Sequence, residues 1–263
     1  MSPWDLLLVG WIGMAAVMLA LYGVERITKN AGCVDVGWAG GVGVLGVFYA
    51  WTADGDPTRR VLIAVLAGLW GFRLAAHILR RVLSEAEDGR YRMLRERWGP
   101  RGKLYFFLFF QIQAIWAVMF SVPFLPVVFD PSPALTWLDS MAAGVWLVAV
   151  AGEATADWQL SRFRARPDSR GKTCRYGLWR YSRHPNYFFE WVHWFTYVFL
   201  AIGAPYGWVA LVGPVVMLLF LYKVTGIPYT EKRALQSRGE DYRRYQRTTS
   251  AFVPWFPKQE EAL

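Results

Sequence analysis

The sequence predicts an all-α, polytopic membrane protein with seven transmembrane helices, its amino terminus outside and its carboxyl terminus in the cytosol. Three observations carry that prediction. The chain is 55% hydrophobic and 17% aromatic, with 15 tryptophans, a profile far from that of a soluble domain with a hydrophilic shell. Apolar runs recur at the length of about twenty residues that a helix needs to cross a bilayer. Basic residues fall in blocks between those runs, almost all of them on one side.

The expected crossings lie at 6–24, 36–53, 61–79, 104–127, 141–159, 187–203 and 207–224. The first has neither a basic leader nor a small-residue cleavage site before it, so it reads as a retained helix and not a cleaved signal. In the second, Gly41-Val-Gly-Val-Leu-Gly46 matches the dinucleotide fingerprint formally, but that fingerprint works between a strand and a helix. Gly37, Gly40, Gly43 and Gly46 recur every third residue inside an apolar helix and read instead as a packing face. The charged stretch Leu83–Lys103 reads as a helical arm, most of its arginines solvated near lipid headgroups. Pro123 and Pro126 are expected to end the overlong fourth crossing early, and Ala204-Pro205-Tyr206 to join the last two as a hairpin.

The basic blocks around Arg26 and Lys29, from Arg80 to Lys103, from Arg162 to Arg183 and in the tail all fall on one side; the other side holds only Arg59 and Arg60. That asymmetry sets the orientation and accounts for the net charge of +9 without nucleic acid, for which no readable basic face is present. Cys33 and Cys174 have no metal or redox spacing, and no disulfide is expected. The chain reads as one integrated membrane domain, residues 1–140 forming a four-helix part on the substrate side and residues 141–263 a three-helix part with the cofactor loops.

Ionisable side chains within a bilayer are costly and tend to be functional. Arg73 and His77 are four apart on the third crossing, as are Glu153 and Asp157 on the fifth and Asn186 and Glu190 on the sixth, so each pair shares a helix face. Asp35 opens the second crossing. Gln111 and Gln113 lie early in the fourth, and Tyr222 and Lys223 close the seventh. Each of these falls in the cytosolic half of its helix, which suits one polar chamber open to the cytosol. The plainer reading is that Arg73 with Glu153 or Asp157 glues helices together.

The densest polar chemistry lies in Arg175–Glu190 and the basic loop before it. Arginine forks and lysine match phosphate oxygens, Tyr176, Trp179, Tyr181 and Tyr187 can stack on flat rings, a carboxylate can accept from ribose, and Asn186 can bond a carboxamide. The loop therefore suits a polyanionic nucleotide, although topology alone explains many of its arginines.

Arg180-Tyr-Ser-Arg-His-Pro-Asn-Tyr-Phe-Phe-Glu190, preceded by Tyr176-Gly-Leu-Trp179 and followed by Tyr242-Arg-Arg-Tyr-Gln-Arg-Thr-Thr-Ser-Ala-Phe-Val-Pro-Trp-Phe256, resembles the steroid 5-alpha-reductase family, its bacterial members most closely. The likeness is clearest from Gly152 to Phe256. The first half matches in span count, in Asp35-x-x-Trp38 and in Trp70-Gly-Phe-Arg73. The resemblance implies a multi-pass reductase of a bacterial inner membrane that takes NADPH from the cytosol and reduces the carbon-carbon double bond of a lipid-like enone, typically a 3-oxo-4-ene steroid. It implies cofactor binding by Asp157, Arg164, Lys172, Asn186, Glu190 and Tyr229, with Arg166, Arg180, Arg183 and His184 as motif neighbours assigned by their chemistry. For the substrate carbonyl it implies an acid paired with a tyrosine. Asp35 supplies the acid, but Trp70 stands where the tyrosine is expected, which leaves Arg73 and His77 as the other candidate donors.

The Arg-His-Pro-x-Tyr hairpin also resembles the membrane methyltransferases that act on isoprenylcysteine with S-adenosylmethionine. The cationic loop favours a cofactor with phosphates over that one. A lipid or sterol binder without catalysis is the third reading. No oligomeric state follows from the sequence, and a monomer suffices for each of the three.

Overall fold

A computed structural model of the chain describes residues 1–133, 136–224 and 226–259. All regular elements among them are helical, and the β-type contact they contain is an isolated bridge between Ser182 and Ser250. In chain order the helices are α1 (Pro3–Thr28), α2 (Cys33–Thr52), α3 (Pro57–Ser84), α4 (Gly89–Trp98), α5 (Gly102–Ser121), α6 (Leu125–Val128) and α7 (Trp137–Arg164), followed by α8 (Pro185–His193), α9 (Phe195–Leu200), α10 (Val212–Leu219), α11 (Ile227–Arg238) and α12 (Glu240–Thr248). The chain forms two units, one of Met1–Thr136 with Ala201–Val212 and the other of Trp137–Leu200 with Gly213–Leu263.

Among the described residues, five helical stretches are long and apolar enough to cross a membrane: Pro3–Thr28, Cys33–Thr52, Pro57–Ser84, Gly89–Val128 and Gly207–Arg238. The expected fifth crossing is the 28-residue α7, long enough for a bilayer but diluted in apolar character by Asp139, Glu153 and Asp157. The expected sixth is broken at Trp194 into α8 and α9. As expected at Pro123 and Pro126, the α5 helix ends early, at Ser121. The two prolines turn the chain through a 3₁₀ segment, Val122–Phe124, into the short α6, because each sits in the first turn of its segment, where the missing N–H has no helical partner to lose.

In the first unit the starts of α1 and α3 follow from capping chemistry. Ser2 and Asp5 form a reciprocal capping box ahead of α1, with Pro3 in the first turn, and the Asp56 carboxylate accepts from Thr58 N and Arg59 N to open α3. The glycine face of α2 is a packing surface. A β-carbon on Gly71 of α3 would lie 2.8 Å from Ala39 O and from Gly43 Cα, so the two backbones approach as only glycine allows.

The two basic residues expected outside are both bound within this unit. Arg59 is buried, its Nε 3.3 Å from Asp130 and 2.9 Å from Ser132 O, while Arg60 donates to Ala50 O and Trp51 O at the end of α2. Neither is a free surface charge. Exposed aromatics mark helix ends: Trp4 begins α1, Trp51 ends α2, Trp137 begins α7, and Tyr206 and Trp208 precede α10. Amphipathic rings at such ends suit the headgroup layer of a bilayer.

Candidate functional site

The charged arm of the first unit builds a site around Asp35. Asp88 caps α4 by accepting from Arg90 N, which sets the helix so that Tyr91 faces inward and packs its ring edge-on against Phe109. Tyr91 is 3% exposed, and its hydroxyl donates to Asp35 Oδ1 at 2.7 Å. Arg90 Nη2 donates to Asp35 Oδ2 at 3.2 Å and its Nε to Asp88 Oδ1 at 3.2 Å. Burial opposes the charge on Asp88, but Arg90 and Arg81 outweigh it and hold that carboxyl below the usual carboxylate range. Arg95 fixes the arm from its other end, with Nη1 2.8 Å from buried Glu25 on α1 and Nη2 2.7 Å from Glu87. Arg90 and Arg95 are thus built into the unit, whereas Arg92, Arg97 and Arg101 are exposed, as expected of most arginines in this arm. Arg73 and His77 lie half-buried on α3, one turn apart.

In the second unit α7 and α8 pack tightly, the Phe189 ring filling the space that a β-carbon on Gly152 would take. That contact sets the polar faces of the two helices against each other: Asn186 Nδ2 donates to Asp157 Oδ1 at 3.1 Å. One turn further along α8, buried Glu190 accepts from Trp194 Nε1 at 3.2 Å. The segment leading into α8 is tied to the end of α7. Tyr176 donates to Gln159 O, Leu178 N to Gln159 Oε1 at 2.9 Å and Trp179 Nε1 to Ala156 O at 2.9 Å.

Arg183 and His184 are held by groups of the same unit. Arg183 Nε donates to Glu231 Oε1 at 2.6 Å, and its Nη1 to Gln246 O at 3.1 Å and Thr249 O at 2.7 Å. His184 Nε2 lies 3.4 Å from the same Glu231 oxygen, and its ring stacks on Tyr187. Burial lowers the His184 pKa, Glu231 only partly restores it, and the imidazole favours its neutral form. These two motif residues therefore fasten α8 to α11 and, through Arg183, to the end of α12. Tyr229 is half-buried on α11 and accepts from Arg233 at 3.3 Å.

The other expected cofactor cations are exposed. Arg164, Arg166, Lys172 and Arg180 line the stretch after α7, Arg166 against the Tyr176 ring and Arg180 against Tyr181, with Lys172 3.7 Å from exposed Asp168. Such contacts are weak and leave Arg166, Lys172 and Arg180 available to a polyanion. The structure thus joins Asp157 with Asn186, and Arg183 with His184 through Glu231; it also adds residues that sequence reasoning missed. Tyr91 had a faint signal, as a lone tyrosine in a charged arm. Glu231 and Gln246, which donates to Glu231 Oε2 at 2.8 Å, had none, since their partners are more than forty and about fifteen positions away respectively.

Neither a curated protein nor a solved structure matches this chain. A family model described as a protein of unknown function, DUF1295, matches residues 21–249, which takes in both the Asp35 arm and the Arg183–Glu231 junction. On that match, spanning most of its length, the chain belongs to the DUF1295 family.

Proposed function

We propose that this chain is a membrane-embedded, NADPH-dependent reductase of the carbon-carbon double bond of an enone, with a 3-oxo-4-ene steroid or a lipid of similar shape as substrate. The observation that carries the reading is the hydrogen bond from Tyr91 to Asp35. An acid paired with a tyrosine is what the resemblance implies at the substrate carbonyl, and Tyr91 fills the role that Trp70 cannot.

Reduction of an enone adds a hydride at the β-carbon and a proton at the α-carbon, and negative charge grows on the carbonyl oxygen between the two events. A donor fixed beforehand at that oxygen, away from water, supplies the main electrostatic help. Tyr91 would be such a donor on turning its single hydroxyl proton from Asp35 Oδ1 to the substrate oxygen: its ring is buried, its hydroxyl is held at Asp35, and Arg90 compensates the Asp35 charge. Arg73 and His77 are the further donors for the same oxygen. Bound NADPH would supply the hydride.

The donor set of the second unit fits that cofactor. Arg164, Arg166, Lys172 and Arg180 would take the phosphates, Asn186 the carboxamide, and Asp157, Glu190 and Tyr229 the ribose hydroxyls. Arg183 and His184 would act at one remove, by holding α8 in place. In this reading the chain crosses the membrane seven times, α7 and α8–α9 joining the five more apolar stretches, with the amino terminus outside and the site open to the cytosol.

The test is to incubate the purified protein with NADPH and a panel of enones and weigh the products. A gain of two hydrogens in one of them is the expected result. A rise in melting temperature with S-adenosylmethionine and none with millimolar NADPH would favour the methyltransferase reading instead.

A further inference from the structure

Beyond the reductase reading, and independent of it, stands a cleft on the carboxyl-terminal side of the second unit. It has a volume of about 390 Å³ and is lined by Arg183, the end of α12 and the tail from Ser250 to Lys258. The tail is held by its backbone. Arg183 N donates to Ser250 O at 2.8 Å, Trp255 N to Tyr181 O at 2.9 Å and Lys258 N to Thr248 O at 2.8 Å, while the Ser182 hydroxyl donates to Phe252 O at 2.7 Å.

That anchoring makes the side chains informative. Trp255 is 70% exposed and Phe256 76%, although the backbone beneath them is pinned; the Phe256 ring meets Tyr181 and Trp255 edge-on. Two rigid aromatic rings held out from the surface are costly in water and favourable in the headgroup layer of a bilayer.

The charge in the cleft is also unbalanced. Arg183 is neutralised by Glu231, but Arg247 is paired among the described residues with exposed Glu240, at 3.1 Å, a surface ion pair of little net strength. Lys258 is exposed beside it, and Thr248 and Ser250 bring hydroxyl groups to the lining. Cations and hydroxyls in a cleft recognise a phosphate; aromatic rings at its rim recognise the acyl-glycerol region next to one. We propose that this cleft binds the headgroup of an anionic phospholipid, with Arg247 and Lys258 on the phosphate and Trp255 and Phe256 seated in the membrane interface, and so fastens the tail to the bilayer.

The full chain in a mild detergent, given phosphatidylglycerol or phosphatidylcholine, tests this by native mass spectrometry and thermal melting. Wild-type protein is expected to retain phosphatidylglycerol preferentially and to melt higher with it. Arg247→Gln and Lys258→Gln should each reduce that retention about fivefold, the loss expected for one interfacial cation. Trp255→Ala should weaken retention of both lipids. Lys258→Glu, at an exposed side chain whose backbone bond is untouched, serves if Arg247→Gln does not fold. Equal retention of phosphatidylglycerol by wild type and the folded cation variants overturns the proposal. So does a stabilisation by glycerol 3-phosphate or by adenosine 2′,5′-bisphosphate as large as that by phosphatidylglycerol, because the cleft would then take a soluble anion.

Discussion

Arg183 Nε and Glu231 Oε1 are 2.6 Å apart, and this ion pair joins the residue before the His-Pro turn of α8 to the first turns of α11. Both side chains are largely shielded from water, and the same guanidinium also caps α12 through the carbonyls of Gln246 and Thr249. A cation that sequence reasoning assigns to a cofactor phosphate is thereby the fastener of three helices. Its energetic weight sits in the fold before it reaches any ligand.

Removing one partner of a shielded ion pair leaves the other charge uncompensated. Glu231→Gln is therefore expected to destabilise the protein by about 3 kcal/mol, the lower end for a broken buried pair. The drop should be seen as a lower melting temperature in detergent and as earlier proteolysis of the tail that Arg183 anchors. A melting temperature equal to wild type would show that the pair contributes nothing net.

Tyr91→Phe removes the hydroxyl and keeps the ring that packs on Phe109. In the proposed reaction it should cost about a hundredfold in turnover, the scale of one lost donor at a developing oxyanion, with NADPH affinity unchanged. Asp35→Ala should give the same pattern. Wild-type turnover in folded Tyr91→Phe would take the hydroxyl out of the chemistry.

Asn186→Ala removes the donor to Asp157 and the group proposed for the carboxamide. NADPH affinity is expected to fall about tenfold, the worth of one neutral hydrogen bond, while the folded fraction stays high. Titration of the cofactor against the melting temperature of both proteins measures the difference. Undiminished affinity would place the carboxamide elsewhere.

His184 gives a pH dependence with a definite sign. Its pKa in the folded protein is held below the ordinary value of 6.5, first by burial, so the unfolded chain binds the proton more readily. This contribution to stability is fully present above pH 6.5 and is lost as the pH falls from there through the lowered folded value. His184→Gln should flatten that part of the stability profile, measured by melting between about pH 7 and pH 5. An equally steep fall in the variant would assign the titration to another group.

Gly71→Ala probes the α2–α3 contact. The new β-carbon would meet the Ala39 carbonyl and Gly43 Cα at 2.8 Å, and backbone cannot yield as a side chain does. A loss of about 2 kcal/mol is expected, within the range for overpacking. Gly13→Ala, where the added carbon meets nothing within 4 Å, is the control and should not lower the melting temperature.

The sequence by itself determined the membrane character, the apolar helices and the two helix-face pairs of α7 and α8. These rest on composition and on a period of 3.6 residues, which are local quantities. The glycine face of α2 was legible for the same reason, since small residues at regular spacing leave room for a neighbour whatever that neighbour is. Tertiary structure alone decided which residues meet. Tyr91 reaches Asp35 across fifty-six positions, and Glu231 reaches Arg183 across forty-eight. No local pattern marks either partner, because a buried hydrogen bond is selected by the packing of the helices that carry it and not by anything within one turn of its own residue.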